Sequence, residues 1–354
     1  MSGERSGPIT VGGRSVEPGE RIHFRYDVGE TYHGDSIEIP VSIINGDRPG
    51  PTAFFSAAVH GDEMNGVKIV QEIANRYEPT DLDGALVCLH VLNVPGFKAQ
   101  ERYLPIYDQD LNRSFPGSPQ GTAASRLANT IFTEFVVHCD LGLDFHTSTR
   151  NRTTMYHVRA DMDDPAVERL ARSFGTNVIL DGTGASGTLR SAACAEGVPT
   201  VTVEMGRARR LQTTHLGHAL HCVASVAAEY GLVANEPVAW PGWTHVVPRD
   251  GQRTWIRAER AGLVEREWGP HPFVEAGDPL VSISDHFKED VEVVRAPTMG
   301  IVIGVLENAV AETGHPLCHF VGVDDETARI IRSDIQRDDF PVYSPGGFHL
   351  PGEH

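Results

Sequence analysis

Lysine is nearly absent from this chain. Only Lys68, Lys98 and Lys288 are lysines among 30 basic residues, set against 48 acidic ones in a sequence of 354 residues with a net charge of −18. Nucleic-acid binders displace counterions from phosphates with a basic stripe, and the longest basic cluster here, Arg207-Ala-Arg209-Arg210, is too short to make one. Paired cysteines are missing as well. Cys88, Cys139, Cys194, Cys222 and Cys318 are odd in number, scattered, without a C-x-x-C pair, and sit in apolar stretches as reduced thiols do. The first residues lack the apolar core of a signal peptide, and no apolar run reaches membrane length. The expectation is a cytoplasmic protein with neither nucleic acid nor membrane as partner. Its oligomeric state is left open, a homo-oligomer included.

What is present suits a folded protein of about two to three units at the usual ~100–200 residues each. Hydrophobic residues make up 40% of the chain, enough for a substantial core. Residues 1–35 are Gly- and charge-rich with short β-like patches and are expected to form an N-terminal extension. From residue 36 to 234, apolar runs of strand length (52–59, 85–92, 141–145, 178–180, 200–203) alternate with helical spacing (64–77, 123–137, 167–174, 188–196, 215–230). That alternation predicts an α/β unit with a parallel or mixed sheet covered on both faces, whose ligands sit beyond the carboxyl ends of the strands. Near Asn235-Glu236-Pro237 long helical patterns stop. Short β-like runs over 254–258, 280–283, 291–294, 301–306 and 319–323 predict a small all-β domain at 235–325. The tail, 326–354, is expected to hold a partial helix over 328–335 and an irregular end.

The strand ends carry the chemistry. His60-Gly61-Asp62-Glu63 sets an imidazole and a carboxylate three positions apart after a buried strand, a donor pair zinc accepts. Alone it is weak: there are 17 histidines, and His286-Phe287-Lys288-Glu289 repeats the spacing. Two further strands end in the same way, at His146 in Asp144-Phe145-His146-Thr147 and at Glu204 in Thr202-Val203-Glu204-Met205-Gly206. Polar groups at three strand ends of one sheet can converge. His60, Glu63 and His146 match a two-His-one-carboxylate zinc site that leaves a position open for water, with Glu204 over as general base. The competing expectation is that each merely caps a neighbouring turn. Asp144 either supports His146 or is structural. In Asp110-Leu111-Asn112-Arg113, the Asn-Arg pair can grip a carboxylate, or Arg113 can pair with Asp108 or Asp110.

The ordered series H-G-D-E, D-L-N-R-x-F-P-G, D-F-H-T and V-E-M-G, within residues 36–232, resembles the succinylglutamate desuccinylase/aspartoacylase family of zinc carboxypeptidase-like hydrolases. The resemblance implies a three-layer α/β/α domain around a mixed sheet. It also implies one Zn2+ per chain on His60, Glu63 and His146, Glu204 as the base, and Asn112 and Arg113 on the substrate carboxylate. An arginine upstream of that pair polarises the scissile carbonyl in the family, which points to Arg102. The C-terminal β region is similar to a biotinyl/lipoyl-type hammerhead, but Pro297-Thr298-Met299-Gly300 lacks the lysine that carries such a cofactor.

The expected activity is hydrolysis of a linear amide bond in a small carboxylate-bearing N-acyl amino acid or related acylated amine. Two alternatives stand beside it: a zinc carboxypeptidase acting on peptides, and a metal-free, non-catalytic binding module. His215, His218 and His221, at intervals of three, are read as packing or surface residues. Arg150, Arg152, Arg190 and Arg207 are candidates for the far end of the substrate. Residues 236–354 hold 10 basic against 20 acidic side chains, so most of the negative charge lies away from the arginines proposed to meet substrate.

Overall fold

The computed structural model of the chain describes residues 7–105, 108–149, 151–236, 242–266 and 269–335, with four more at 343–344 and 347–348. Two short strands, β1 (Ile9–Val11) and β2 (Arg14–Val16), pair as a hairpin. There follow β3 (Arg21–Glu30), β4 (Ser36–Asn45), β5 (Arg48–Ala57), α1 (Met64–Arg76), β6 (Asp83–Leu89), α2 (Val94–Ala99) and α3 (Ala123–Glu134). Next come β7 (Leu141–Ser148), β8 (Arg152–Ala160), α4 (Pro165–Phe174), β9 (Val178–Asp181), α5 (Leu189–Ala195), β10 (Thr200–Arg207) and α6 (Thr213–Glu229). The C-terminal part contains β11 (His245–Val247), β12 (Arg253–Arg257), β13 (Gly262–Arg266), β14 (His271–Val274), β15 (Pro279–Ser284), β16 (Val291–Arg295), β17 (Gly300–Leu306), β18 (Val310–Ala311) and β19 (Pro316–Gly322), then α7 (Asp325–Ile335).

Strands β10, β7, β5 and β6 lie side by side and parallel, flanked by antiparallel β4 and β3 on one side and antiparallel β8 on the other. Their apolar runs are continuous because helices cover both faces. Alternate side chains serve the two layers. Phe55 faces a core with Ile69, Val70 and Ile73 of α1, Leu170 and Phe174 of α4 and Val223 of α6. Phe54 faces Leu127 and Ile131 of α3 and Leu189 of α5. This is the three-layer α/β/α arrangement that the resemblance implies, and its sheet is mixed and covered on both faces as expected from the alternation.

The sheet does not stop at β8. The first half of its outer edge pairs with β17 and the second half with β9, and β19 and β12 continue beyond β17, giving 13 strands among the described residues. A further sheet, β16-β15-β13-β18, belongs wholly to the C-terminal part. Within residues 1–35, β3 forms the opposite edge of the large sheet by pairing with β4. The expected helix in the tail is α7, and the irregular end expected after it lies almost wholly outside the described residues.

Strand β8 was not foreseen from the sequence. Arg152, Thr154, His157 and Arg159 interrupt its apolar pattern because that face lines a cavity rather than a core. A β-bulge adds to the irregularity: Glu204 and Gly206 of β10 are two apart, whereas their partners in β8, His157 and Thr154, are three apart.

Candidate metal and catalytic site

The parallel register of β5, β7 and β10 sets their carboxyl ends along one edge. Ala57 is level with Phe145, and Glu204 is level with His146. After β5 the chain turns through Ala58 at φ 50°, a left-handed conformation uncommon for alanine, and delivers His60. Gly61 follows, and a Cβ there would lie 2.0 Å from the carbonyl carbon of Gly96 in α2, so only glycine fits this approach. Glu63 stands at the N-cap of α1, but its carboxylate is turned away from helix capping.

That carboxylate lies between two imidazoles. Glu63 Oε1 is 2.7 Å from His60 Nδ1, and Oε2 is 2.9 Å from His146 Nδ1, while the Thr147 backbone N–H donates to Oε2 at 3.0 Å. All three residues are buried, and one donor atom from each falls within 4.8 Å of the others. Among the described residues this is the one group of its kind, and His286 and Glu289 are not part of any other. Asp144 holds the remaining nitrogen of His146, with Oδ2 2.7 Å from Nε2, and its Oδ1 accepts the Ser56 hydroxyl at 2.7 Å. Such a carboxylate behind an imidazole fixes the tautomer that a metal needs. Two nitrogens and a carboxylate, buried, convergent and backed in this way, suit a divalent cation such as zinc.

Burial alone would raise the Glu63 carboxyl, but His60 and His146 outweigh it and hold it well below the usual carboxylate range. Burial would lower His146, yet Asp144 and Glu63 keep it well above the ordinary imidazole value.

Arg102 borders this group. Its Nη1 is 3.2 Å from His60 Nδ1 and 3.5 Å from Glu63 Oε1, and Nη2 is 3.3 Å from Asp110 Oδ2. The backbone places it there, since the Arg102 carbonyl accepts from Gly61 N–H and from the Asn93 amide. Asp110 caps the 3-10 turn Leu111–Arg113 by accepting from Asn112 N–H at 2.9 Å. Asn112 is buried with Oδ1 accepting from Leu189 N–H, and Arg113 donates through Nη1 to the Asn112 carbonyl at 2.6 Å. Glu204 is held by Arg159, whose Nε donates to Oε1 at 3.0 Å.

His60, Glu63, His146, Arg102, Asn112, Arg113, Arg159 and Glu204 share one cavity of about 310 Å³. Its walls include five arginines: Arg102, Arg113, Arg152, Arg159 and Arg190. Of the arginines proposed for the far end, Arg152 and Arg190 line it, Arg207 lines the adjoining cavity instead, and Arg150 lies outside the described residues. His157, Arg159, Trp255 and His319 also line the cavity and had not been singled out. Trp255 and His319 are cross-strand partners on β12 and β19, their rings stacked at 4.7 Å, with the Arg152 guanidinium 4.9 Å from the indole centroid. His215 and His218 are buried in α6; His218 packs edge-on against Tyr156 and its Nε2 is 3.6 Å from Cys222 Sγ.

Residues 49–230, just over half the chain, match the succinylglutamate desuccinylase/aspartoacylase catalytic domain. N-alpha-acetyl-L-2,4-diaminobutyric acid deacetylase of Halomonas elongata is 25% identical over 252 residues, 69% of this chain and 72% of the relative. Among solved structures, the product-bound ectoine utilization protein EutE (DoeB) from Ruegeria pomeroyi superposes with a TM-score of 0.77 at 23% identity, covering 90% of this chain and 100% of that one. A succinylglutamate desuccinylase from Silicibacter sp. TM1040 gives 0.76 at 22% identity, covering 92% and 100%. The fold of these proteins is the one described above. With more than half its length matched by the catalytic domain, the chain belongs to the succinylglutamate desuccinylase/aspartoacylase family.

Proposed function

We propose that the protein is a zinc-dependent deacylase that hydrolyses the amide bond of a small, carboxylate-bearing N-acyl amino acid or related acylated amine. The observation that carries this reading is the buried His60, Glu63 and His146 trio, backed by Asp144 and level with Glu204 on the neighbouring strand. One Zn2+ held by that trio supplies a Lewis acid that polarises a carbonyl and acidifies water. Glu204 takes the proton of the attacking water at a carboxylate oxygen and returns it to the leaving nitrogen. Arg159 holds Glu204 in place. The Arg102 guanidinium donates to the oxyanion that develops on the carbonyl, a contribution of about 3–4 kcal/mol in comparable sites. Asn112 and Arg113 fix the substrate carboxylate and so its orientation.

The family's named members support amide hydrolysis, including a deacetylase of an N-acetyl diamino acid. Walls contributed by β8, β12, β17 and β19 favour a small substrate over a peptide groove. The same reading assigns catalysis to residues 36–234 and closure of the cavity to 235–325. Five unpaired cysteines, four of them buried, agree with a cytoplasmic setting, and no described helix is long and apolar enough to cross a membrane. The test is a deacylation screen over acetyl, succinyl and formyl amino acids with zinc supplied. E204Q should retain zinc while losing roughly 10²–10⁴-fold in kcat. Full activity in zinc-replete E204Q removes Glu204 from the base role, and no turnover of any member refutes the deacylase.

A further inference from the structure

Strands β13, β15, β16 and β18 form a sheet that lines neither the metal-site cavity nor the one adjoining it. One of its faces packs on a core of its own, where Val281, Ile283 and Val294 are buried. The other face should then be polar, since an antiparallel sheet of this kind buries one side and leaves the other to water. Cross-strand partners share a face, so the register picks out the outward residues. Ser284 pairs with both Val291 and Leu263, and Leu263 pairs in turn with Val310, while Ser282 pairs with Val293 and Glu265. Four of these seven positions are apolar. Leu263, Val291, Val293 and Val310 are 41%, 43%, 42% and 55% exposed, and Phe287, in the turn between β15 and β16, is 81% exposed. Among the described residues, five of the nine exposed large hydrophobic side chains thus belong to this one small sheet. Exposed apolar residues scattered singly need no explanation, whereas a contiguous stripe marks a contact surface.

What covers the stripe must be apolar and must match the charges beside it. Glu265 and Lys288 are 65% and 67% exposed and meet loosely, with Lys288 Nζ 3.5 Å from Glu265 Oε2. The face therefore carries one carboxylate and one ammonium next to an apolar centre. A second copy turned through a two-fold axis brings an identical stripe against this one and can set each Lys288 against the partner's Glu265, the self-complementarity that an isologous contact needs. Two sheets stacked face to face in this way bury their apolar positions between them, as the layers of a β-sandwich do. An anionic membrane is a poor cover, because residues 236–354 hold 10 basic against 20 acidic side chains.

We infer that the outer face of the β16-β15-β13-β18 sheet is the interface through which two copies of this chain form a dimer. The contact is independent of the deacylase reading, since none of the face residues lines either cavity. The full-length protein, with zinc supplied, is followed by sedimentation equilibrium. Wild type should be a dimer at micromolar concentration. L263E puts a charge at the centre of the stripe, and because β13 has a neighbour on each side it tests the face rather than an edge of the sheet. It should weaken the dimer by at least about a hundredfold, with thermal unfolding as in wild type. E265K and K288E each place like charges across the axis and should each weaken the dimer about tenfold. An equal mixture of the two should recover it, because each lysine again meets a glutamate of the other chain. That recovery separates a contact between copies from the Glu265–Lys288 pair within one chain, which both variants break. A wild type that is monomeric at about 100 μM overturns the inference. So does a dimer that L263E leaves intact, or a mixture that associates no more tightly than its two components alone.

Discussion

Asp144 shows how much of the proposed metal site rests on a residue outside the His60, Glu63 and His146 trio. One oxygen takes the Ser56 hydroxyl and the other the His146 Nε2, which leaves His146 Nδ1 facing Glu63. D144N keeps the size but reverses one hydrogen-bonding partner, so metal affinity should fall by roughly 10- to 100-fold in a competition titration. Unchanged affinity would reduce Asp144 to packing. His60, Glu63, His146 and Glu204 were legible in the sequence because each follows or ends an apolar run that could only be a covered strand. Asn112 and Arg113 were legible as a loop pair, although the Leu189 contact that buries Asn112 was not. His157 escaped because nothing local marks it. Its place in the cavity wall comes from its pairing with Glu204 and from a bulge that periodicity cannot show.

Among elements, the turn after β5 and the short helix α2 act as one piece. Gly61 meets the backbone of α2 at Gly96 and Phe97, and its N–H binds the Arg102 carbonyl. In G61A the added carbon would come within 2.0 to 2.2 Å of main-chain atoms, which cannot swing aside as a side chain can. We expect destabilisation of about 1–3 kcal/mol in denaturant unfolding, with activity lost beyond what stability explains because Arg102 moves with α2. A G61A protein with wild-type midpoint and rate would disprove the coupling. Parallel strands and long helices were legible because burial on both faces writes unbroken apolar runs and 3.6-residue spacing. Strand β8 was not, since one of its faces lines the cavity with polar side chains. Nor did the short C-terminal runs reveal that β12, β17 and β19 would join the large sheet, a matter of partner choice between elements far apart in sequence.

For the molecule as a whole, acid is the expected weakness. Burial lowers the pKa of His90 and His215 to about 4 and of His157, His218 and His319 to about 3, and lowers His245 as well. Below the ordinary imidazole value of about 6.5 the unfolded chain binds these protons and the folded one does not, so stability is greatest above that pH and declines as pH falls towards the folded values. For the fully buried His157 and His218 the loss approaches about 1.4 kcal/mol per pH unit each. His146, raised instead, runs the other way, but it is one against six. Urea midpoints should therefore drop between pH 7 and 5.5 in metal-free protein, and equal midpoints would mean that these imidazoles open to water. The continuous sheet has a consequence for how the protein is made. Half the outer edge of β8 pairs with β17, so a chain still emerging from the ribosome carries an open strand edge, a template for wrong pairing, until residues 304–306 have been made. Trp255 and His319 follow the His60, Glu63 and His146 trio by more than a hundred residues in the chain, so the cavity wall cannot be whole before residue 319 has been made.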